Sequence, residues 1–267
     1  MIDLKKQLQD EIMEIIYPLG DKIELEAVGS DGFSLSYRAN IPMLSASLIK
    51  LPILLYAYKN PNIQSEVLDQ TIHLDDDQIV SGSGVLQVLS VREWTIRDLL
   101  ALMISVSDNT ATNLLMDFFG IHRLQKWIED QGLTETSIER KMMDMDAQKE
   151  GRTNWISAHD ANWMIQQIFS EDTPLPGEAK SWLLRQQFRD KLPGLFDEKA
   201  RPILVYNKTG EMEQVDHDAA YFSCDNEHMA VTVLTSGCEN RQDALFALQQ
   251  IGQLIAQYLL DISESVG

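Results

Sequence analysis

Residues 43–54 read Met-Leu-Ser-Ala-Ser-Leu-Ile-Lys-Leu-Pro-Ile-Leu, and this stretch carries the most information in the chain. It lies just after Pro42, in a run over 45–58 that is strongly apolar and of helical length, with Ser45 as the expected N-cap. Ser47 and Lys50 stand three apart, so on a helix they share a face and come within hydrogen-bond reach. A serine hydroxyl is a poor nucleophile without an adjacent base. Lys50 can be that base if its amine is at least partly neutral, which burial and a second nearby ammonium would bring about. If Ser47 lies in the first turn, its N–H has no intrahelical partner and is free to bind a developing oxyanion. The plain alternative is a helix start with a snorkelling lysine.

Working outward, residues 3–17 carry apolar side chains at Leu4, Leu8, Ile12, Ile15 and Ile16, a helical period. Residues 22–28 and 33–37 alternate apolar and polar around Gly29-Ser30-Asp31-Gly32, which reads as a hairpin. From about 62 to 200 the pattern is mostly helical, with amphipathic segments at 95–103, 110–119, 121–131 and 157–169. After Pro202 it returns to strands at 203–209, 219–224 and 229–235, and a helix over 242–260 closes the chain. Two strands early and three late predict an α+β fold. Its five-stranded antiparallel sheet would be flanked by N- and C-terminal helices, with an all-helical lobe beside it. The sheet lobe takes 1–60 and 201–267 and the helical lobe 61–200, a single catalytic unit with its cleft between the lobes.

Two further short motifs follow. Ser107-Asp108-Asn109 supplies a hydroxyl that can pass a proton to a leaving amine and an amide to grip a substrate amide. Lys208-Thr209-Gly210 falls at a strand end, with an ammonium, a hydroxyl, and a glycine that lets a substrate approach the backbone. Taken singly, the first is equally a helix cap and the second a strand running into a turn. The bland readings must all hold together to remove the catalytic one.

Ser47-x-x-Lys50, Ser107-Asp108-Asn109 and Lys208-Thr209-Gly210, in this order, resemble the signature of the class A serine β-lactamase and penicillin-binding-protein family. The resemblance extends to SGSGVLQVL at 81–89, TIRDLLALMISVSDNTATNLLM at 95–116 and NKTG at 207–210. It implies the two-lobe β-lactamase and D,D-peptidase fold. It also implies that Ser47 is the acylated nucleophile, Lys50 its activating partner, Ser107 a proton relay and Asn109 a substrate-amide contact. Lys208 with Thr209 would form an electrostatic clamp beside Gly210, and the N–H groups of Ser47 and Glu211 would form the oxyanion hole. The implied function is opening of a β-lactam amide through an acyl-enzyme. The alternatives are a peptidase, amidase or esterase on another acyl substrate, or a slowly deacylating penicillin-binding or sensing module.

The sequence departs from that family at three places. The family's loop carries Arg-x-Glu-x-x-Leu-Asn, whose Glu activates the deacylating water; here Arg140 to Asp146 put Met142 in place of that Glu. Asp146, or failing it Asp144, is the expected substitute base, unless both acids only solvate the loop. Glu211 shares a strand face with Thr209 and so brings a carboxylate beside the substrate's own. No arginine stands on the strands after Lys208 to clamp a substrate carboxylate, since Arg241 lies beyond them. Residues 151–160, with Trp155, are expected to close the loop against the cleft.

Composition narrows the partners. With 41 acidic residues against 22 basic ones the formal net charge is −19. Such a field repels nucleic acid and anionic membranes and slows an anionic substrate, unless it serves only solubility. The expected partner is a small-molecule or short-peptide acyl substrate, and the protein is expected to be a monomer. No run of 18 apolar residues and no secretory h-region appears, which points to the cytoplasm unless a leader has been removed. Cys224 and Cys238 flank a hairpin with its turn at 225–228. That register sets Cys224 opposite about Met229 and leaves both thiols free. His73, His122, His159, His217 and His228 have no metal-ligand spacing, and Gly82-Ser83-Gly84 reads as a turn, so no metal or cofactor is expected.

Overall fold

The computed structural model describes residues 3–195 and 202–266. Helix α1 (Leu4–Ile16) starts at Asp3, whose carboxylate accepts the Lys5 and Lys6 N–H groups. Leu8, Ile12 and Ile16 are its buried stripe, each contributing about 1.5–3 kcal/mol by leaving water. Strands β1 (Ile23–Gly29) and β2 (Ser34–Tyr37) form the expected hairpin. Then come β3 (Met43–Leu44), a 3-10 turn over Ala46–Ile49, α2 (Lys50–Lys59), α3 (Ser65–Leu68), β4 (Thr71–His73) and β5 (Glu93–Thr95). The helical stretch continues through α4 (Ile96–Ser105), α5 (Asn109–Phe119), α6 (Ile121–Asp130) and α7 (Met145–Lys149). It ends with β6 (Trp155–Ile156), α8 (Ala158–Phe169) and α9 (Gly177–Leu184). Strands β7 (Leu204–Met212), β8 (Val215–Cys224) and β9 (Glu227–Ser236) precede α10 (Arg241–Val266).

The five long strands form one antiparallel sheet in the order β2-β1-β9-β8-β7. The α+β fold with its five-stranded antiparallel sheet is therefore present as expected. One face packs Phe222, Val231 and Val233 under α1 and α10. The other packs Ala219, Ala230 and Leu234 against α2, α8 and the remaining helices. The expected lobe boundary near 200 lies outside the described residues.

Three local expectations change. The run at 45–58 does not begin as an α-helix capped by Ser45: that side chain makes no capping bond and donates to the Ala46 carbonyl at 3.2 Å. A 3-10 turn comes first, entered through a left-handed Ala46 (φ 45°). Strands β7 and β8 are longer than periodicity suggested, because the two-residue turn Glu213-Gln214, with Gln214 at φ 56°, lets pairing run on to Met212 and Val215. The β8–β9 turn is likewise two residues, Asp225-Asn226, so Cys224 pairs with Glu227 and Met229 with Phe222. Both cysteines are buried and free.

Candidate active site

The 3-10 turn sets Ser47 at the floor of a cavity of about 500 Å³, partly exposed, at the junction of the sheet edge and the helices. One turn on, Lys50 opens α2 fully buried, its amine 3.0 Å from Ser47 Oγ. The same nitrogen lies 2.7 Å from the Ser107 carbonyl, 2.9 Å from Ser107 Oγ and 2.9 Å from Asn109 Oδ1. Two of these neighbours only accept and two are hydroxyls that can donate. A neutral amine has two N–H groups for the two acceptors and one lone pair for one of the two hydroxyls at a time. Burial, then the charge of Lys208, drives the Lys50 pKa well below its ordinary value, with Asp108 opposing.

Ser107 is held in the left-handed region (φ 54°) between α4 and α5, a conformation that costs a non-glycine residue about 1–3 kcal/mol. Asp108 fixes it there. Its carboxylate caps α5 by accepting the Ala111 N–H and accepts the Val85 and Leu86 N–H groups at 2.6 and 2.9 Å. Gly84, at φ +122°, is required for that approach, since a Cβ there would meet the Asp108 carboxylate at 2.3 Å. Gly82-Ser83-Gly84 is thus a turn, one pressed against the site: the Ser83 carbonyl accepts the Asn109 N–H.

Strand β7 supplies the opposite wall. The Lys208 amine is buried and donates to the Thr209 carbonyl at 2.7 Å and Ser107 Oγ at 3.1 Å. Ser107 Oγ therefore sits between two amines. Burial lowers the Lys208 pKa to about 7, with Lys191 adding to the effect and Asp218 opposing it. A Cβ on Gly210 would crowd Ala46, His217 and the Ser45 carbonyl at 3.2–3.3 Å, so the glycine lets the strand lie against the turn that carries Ser47. Thr209 is nearly buried and pairs with Asp218.

Glu211 does line the cavity, but its carboxylate is not free. Arg241 reaches it at 2.7 Å and Lys191 lies 3.7 Å away. Arg241, beyond the strands in sequence, is folded back to their end by α10, where it also binds Asp216. Buried Lys191 donates to the Gly210 carbonyl at 2.8 Å and pairs with Asp216 at 3.1 Å. His217, held below its ordinary pKa at about 4 chiefly by burial, accepts the Thr235 N–H at Nδ1, which leaves Nε2 to donate to the Leu44 carbonyl at 2.9 Å. That bond ties β3, just before the turn that carries Ser47, to the sheet.

The third wall is the loop 140–154. Met142 lines the cavity, and both of its peptide groups are held by the Asn113 side chain, at 2.8 and 3.1 Å. Asp146 is not brought to the cavity. Its side chain is 88% exposed and pairs with Lys149, turned away from the wall that faces Ser47. Asp144 caps α7 through the Ala147 N–H instead. The return segment does lie against the cleft, with Thr153 and Asn154 in its wall and Trp155 pairing with Leu44. The buried Asn154 binds the Glu139 and Arg140 N–H groups and accepts Ser45 N–H on its carbonyl.

Ser47 and Asn109 thus line one cavity with Glu211 in its wall, and Lys50, Ser107 and Lys208 are joined to them by hydrogen bonds in the buried layer behind, while Asp146 stands apart. Reading the sequence missed Asn154, Lys191, His217 and the role of Arg241. None carries a local signal, because each acts on a partner 14 or more residues away. The residues 7–259 match the model of the β-lactamase enzyme family. The chain belongs to that family. A search of curated proteins returns no match. Among solved structures, the fold is shared with a β-lactamase from Sphaerobacter thermophilus at 24% identity and a TM-score of 0.83, over 93% of this chain and 96% of that one. A class A β-lactamase from Mycobacterium abscessus matches at 17% identity and 0.78, over 94% and 98%. An acyl-enzyme complex of a leucine-to-glutamate mutant of PBP-A with penicillin G matches at 22% and 0.81, over 94% and 96%. Family and fold support a serine β-lactamase-type hydrolase. No described helix is long and apolar enough to cross a membrane.

Proposed function

We propose that the protein opens β-lactam amides, and related small acyl donors, through an acyl-enzyme on Ser47 that is released slowly. The observation that carries this reading is the buried Lys50 amine, held toward its neutral form 3.0 Å from Ser47 Oγ. Lys50 takes the hydroxyl proton as the Oγ–carbonyl carbon bond forms. The N–H of Ser47 and that of Glu211, on the outer side of the edge strand β7, receive the oxyanion. As the ring C–N bond breaks, Ser107 gives its proton to the leaving nitrogen and is resupplied from Lys50 or Lys208, 2.9 and 3.1 Å away. Asn109 holds the substrate amide, and Lys208 and Thr209 hold the leaving portion.

Slow release follows from the loop wall. Met142 has no basic atom, and Asp146 is turned to solvent. PBP-A, a protein of the same fold, has been captured acylated by penicillin G in mutant form. The test is to incubate the protein with a chromogenic β-lactam while recording turnover and intact mass. A Ser47 adduct that persists while colour release stalls supports the reading. Fast steady turnover overturns the slow step, and no adduct beside activity on simple esters or D-alanyl peptides moves the protein to the peptidase or esterase alternative.

A further inference from the structure

The charges around the cavity are distributed in a way that selects the acyl group. Four methionines, Met142, Met143, Met145 and Met212, give it apolar, adaptable walls suited to a flexible acyl chain. The cations that might meet an anionic substrate are already engaged. Lys50 and Lys208 are buried with their donors on Ser107, Asn109 and Thr209, and their burial favours the uncharged forms. Lys191 and Arg241 are spent on Asp216 and Glu211. Among the described residues that line the cavity the basic side chain is Arg140, which donates to the Lys141 carbonyl through one terminal nitrogen and faces the opposing charge of Asp144, while its buried Nε has no hydrogen-bond partner. Glu213, by contrast, is exposed in the same wall, with no ion pair or hydrogen bond among the described residues. The net charge of −19 adds to the bias at long range.

We infer that the cavity takes an acyl group that is apolar along its length and carries a protonated amine, which Glu213 receives at the end of β7. The inference rests on Ser47 being the acylated residue. It would make Glu213 a specificity-determining residue, with Glu211 shielded by Arg241 and lending only background potential.

The test uses nitrophenyl esters of three acids of similar length: aminohexanoic acid, heptanoic acid and the monoester of adipic acid. In each, the bond to Ser47 Oγ forms as nitrophenolate leaves, so the burst reads the acylation rate and intact mass locates the adduct. The amino ester is expected to acylate fastest and the adipate slowest, about tenfold apart at low salt and closer at high salt. Glu213→Gln should shrink that ratio at least about threefold, and Glu213→Lys should invert it. An adipate ester as fast as the amino ester, which would mean that Arg140 holds its carboxylate, overturns the inference. So does a ratio that Glu213→Gln leaves unchanged. Labelling of Ser47 by a fluorophosphonate without acylation by any of the esters keeps the serine reading and overturns the substrate class. No labelling by any of the four probes overturns both.

Discussion

At the floor of the cleft the Lys50 nitrogen has four polar atoms within 3.0 Å, whereas the loop wall over 140–154 presents methionines and turns the Asp146 carboxylate outward onto Lys149. The two regions face one another across the same cavity. On the floor, buried contacts from Lys50 to Ser107 and Asn109 and from Lys208 to Ser107 join residues far apart in sequence, so geometry and pKa are fixed together. On the wall, Asn113 and Asn154 hold the backbone rigidly but no side chain is poised to handle a water. On the proposed reading, the difference teaches that forming an acyl-enzyme and releasing it are separable properties of one fold, set by separate parts of the chain.

Replacing Lys50 by Met attacks the floor directly. It keeps the buried volume and removes the amine, and the acylation rate, followed by intact mass, should fall by about 10²–10⁴. An unchanged rate would remove Lys50 from the mechanism. Met142→Glu should supply the wall with the acid it lacks. Deacylation, measured as decay of the Ser47 adduct after excess β-lactam is removed, is expected to speed up by at least about tenfold, with acylation little changed.

A third test probes the fold beneath both regions. Glu24, on β1 opposite Leu234, is completely buried, and neither carboxylate oxygen has a partner. Burial, only partly offset by Arg38, raises its pKa from 4.5 to about 8. The folded state therefore binds the proton more tightly than the unfolded one, and the associated stability is lost as pH rises from about 4.5 to about 8. The full effect has an upper bound of about 5 kcal/mol. Glu24→Gln should raise Tm at about pH 8.5 and change it little at about pH 5; the reverse order would refute the buried proton. The smallest effect belongs to Asp146→Asn, for which the deacylation rate should stay within about twofold, far short of the loss expected of a general base. A larger fall would restore Asp146 as a base and require the loop to move.

Much of this could be read from the chain alone because its signals are short in range. The 3.6-residue period of 3–17, the alternation of 22–28, and Ser47 and Lys50 one turn apart are all local facts. Asp108 could be read as a cap because a cap bonds to the next turn of its own helix. What lay out of reach was what depends on contacts distant in sequence. Asp146 and Met142 differ by only four positions, and nothing in that spacing says that α7 exposes one while Asn113 pins the other at the cavity. Glu211 looked like a bare charge because Arg241, thirty residues on, is returned to it only when α10 packs across the sheet. The sequence by itself determined the sheet's five strands, the helices at both ends of the chain and the placing of Ser47 and Lys50 one turn apart. Tertiary structure alone decided which charges are spent and which remain. A charge's effect depends on its burial and its nearest partners, and both are created only when the chain closes on itself.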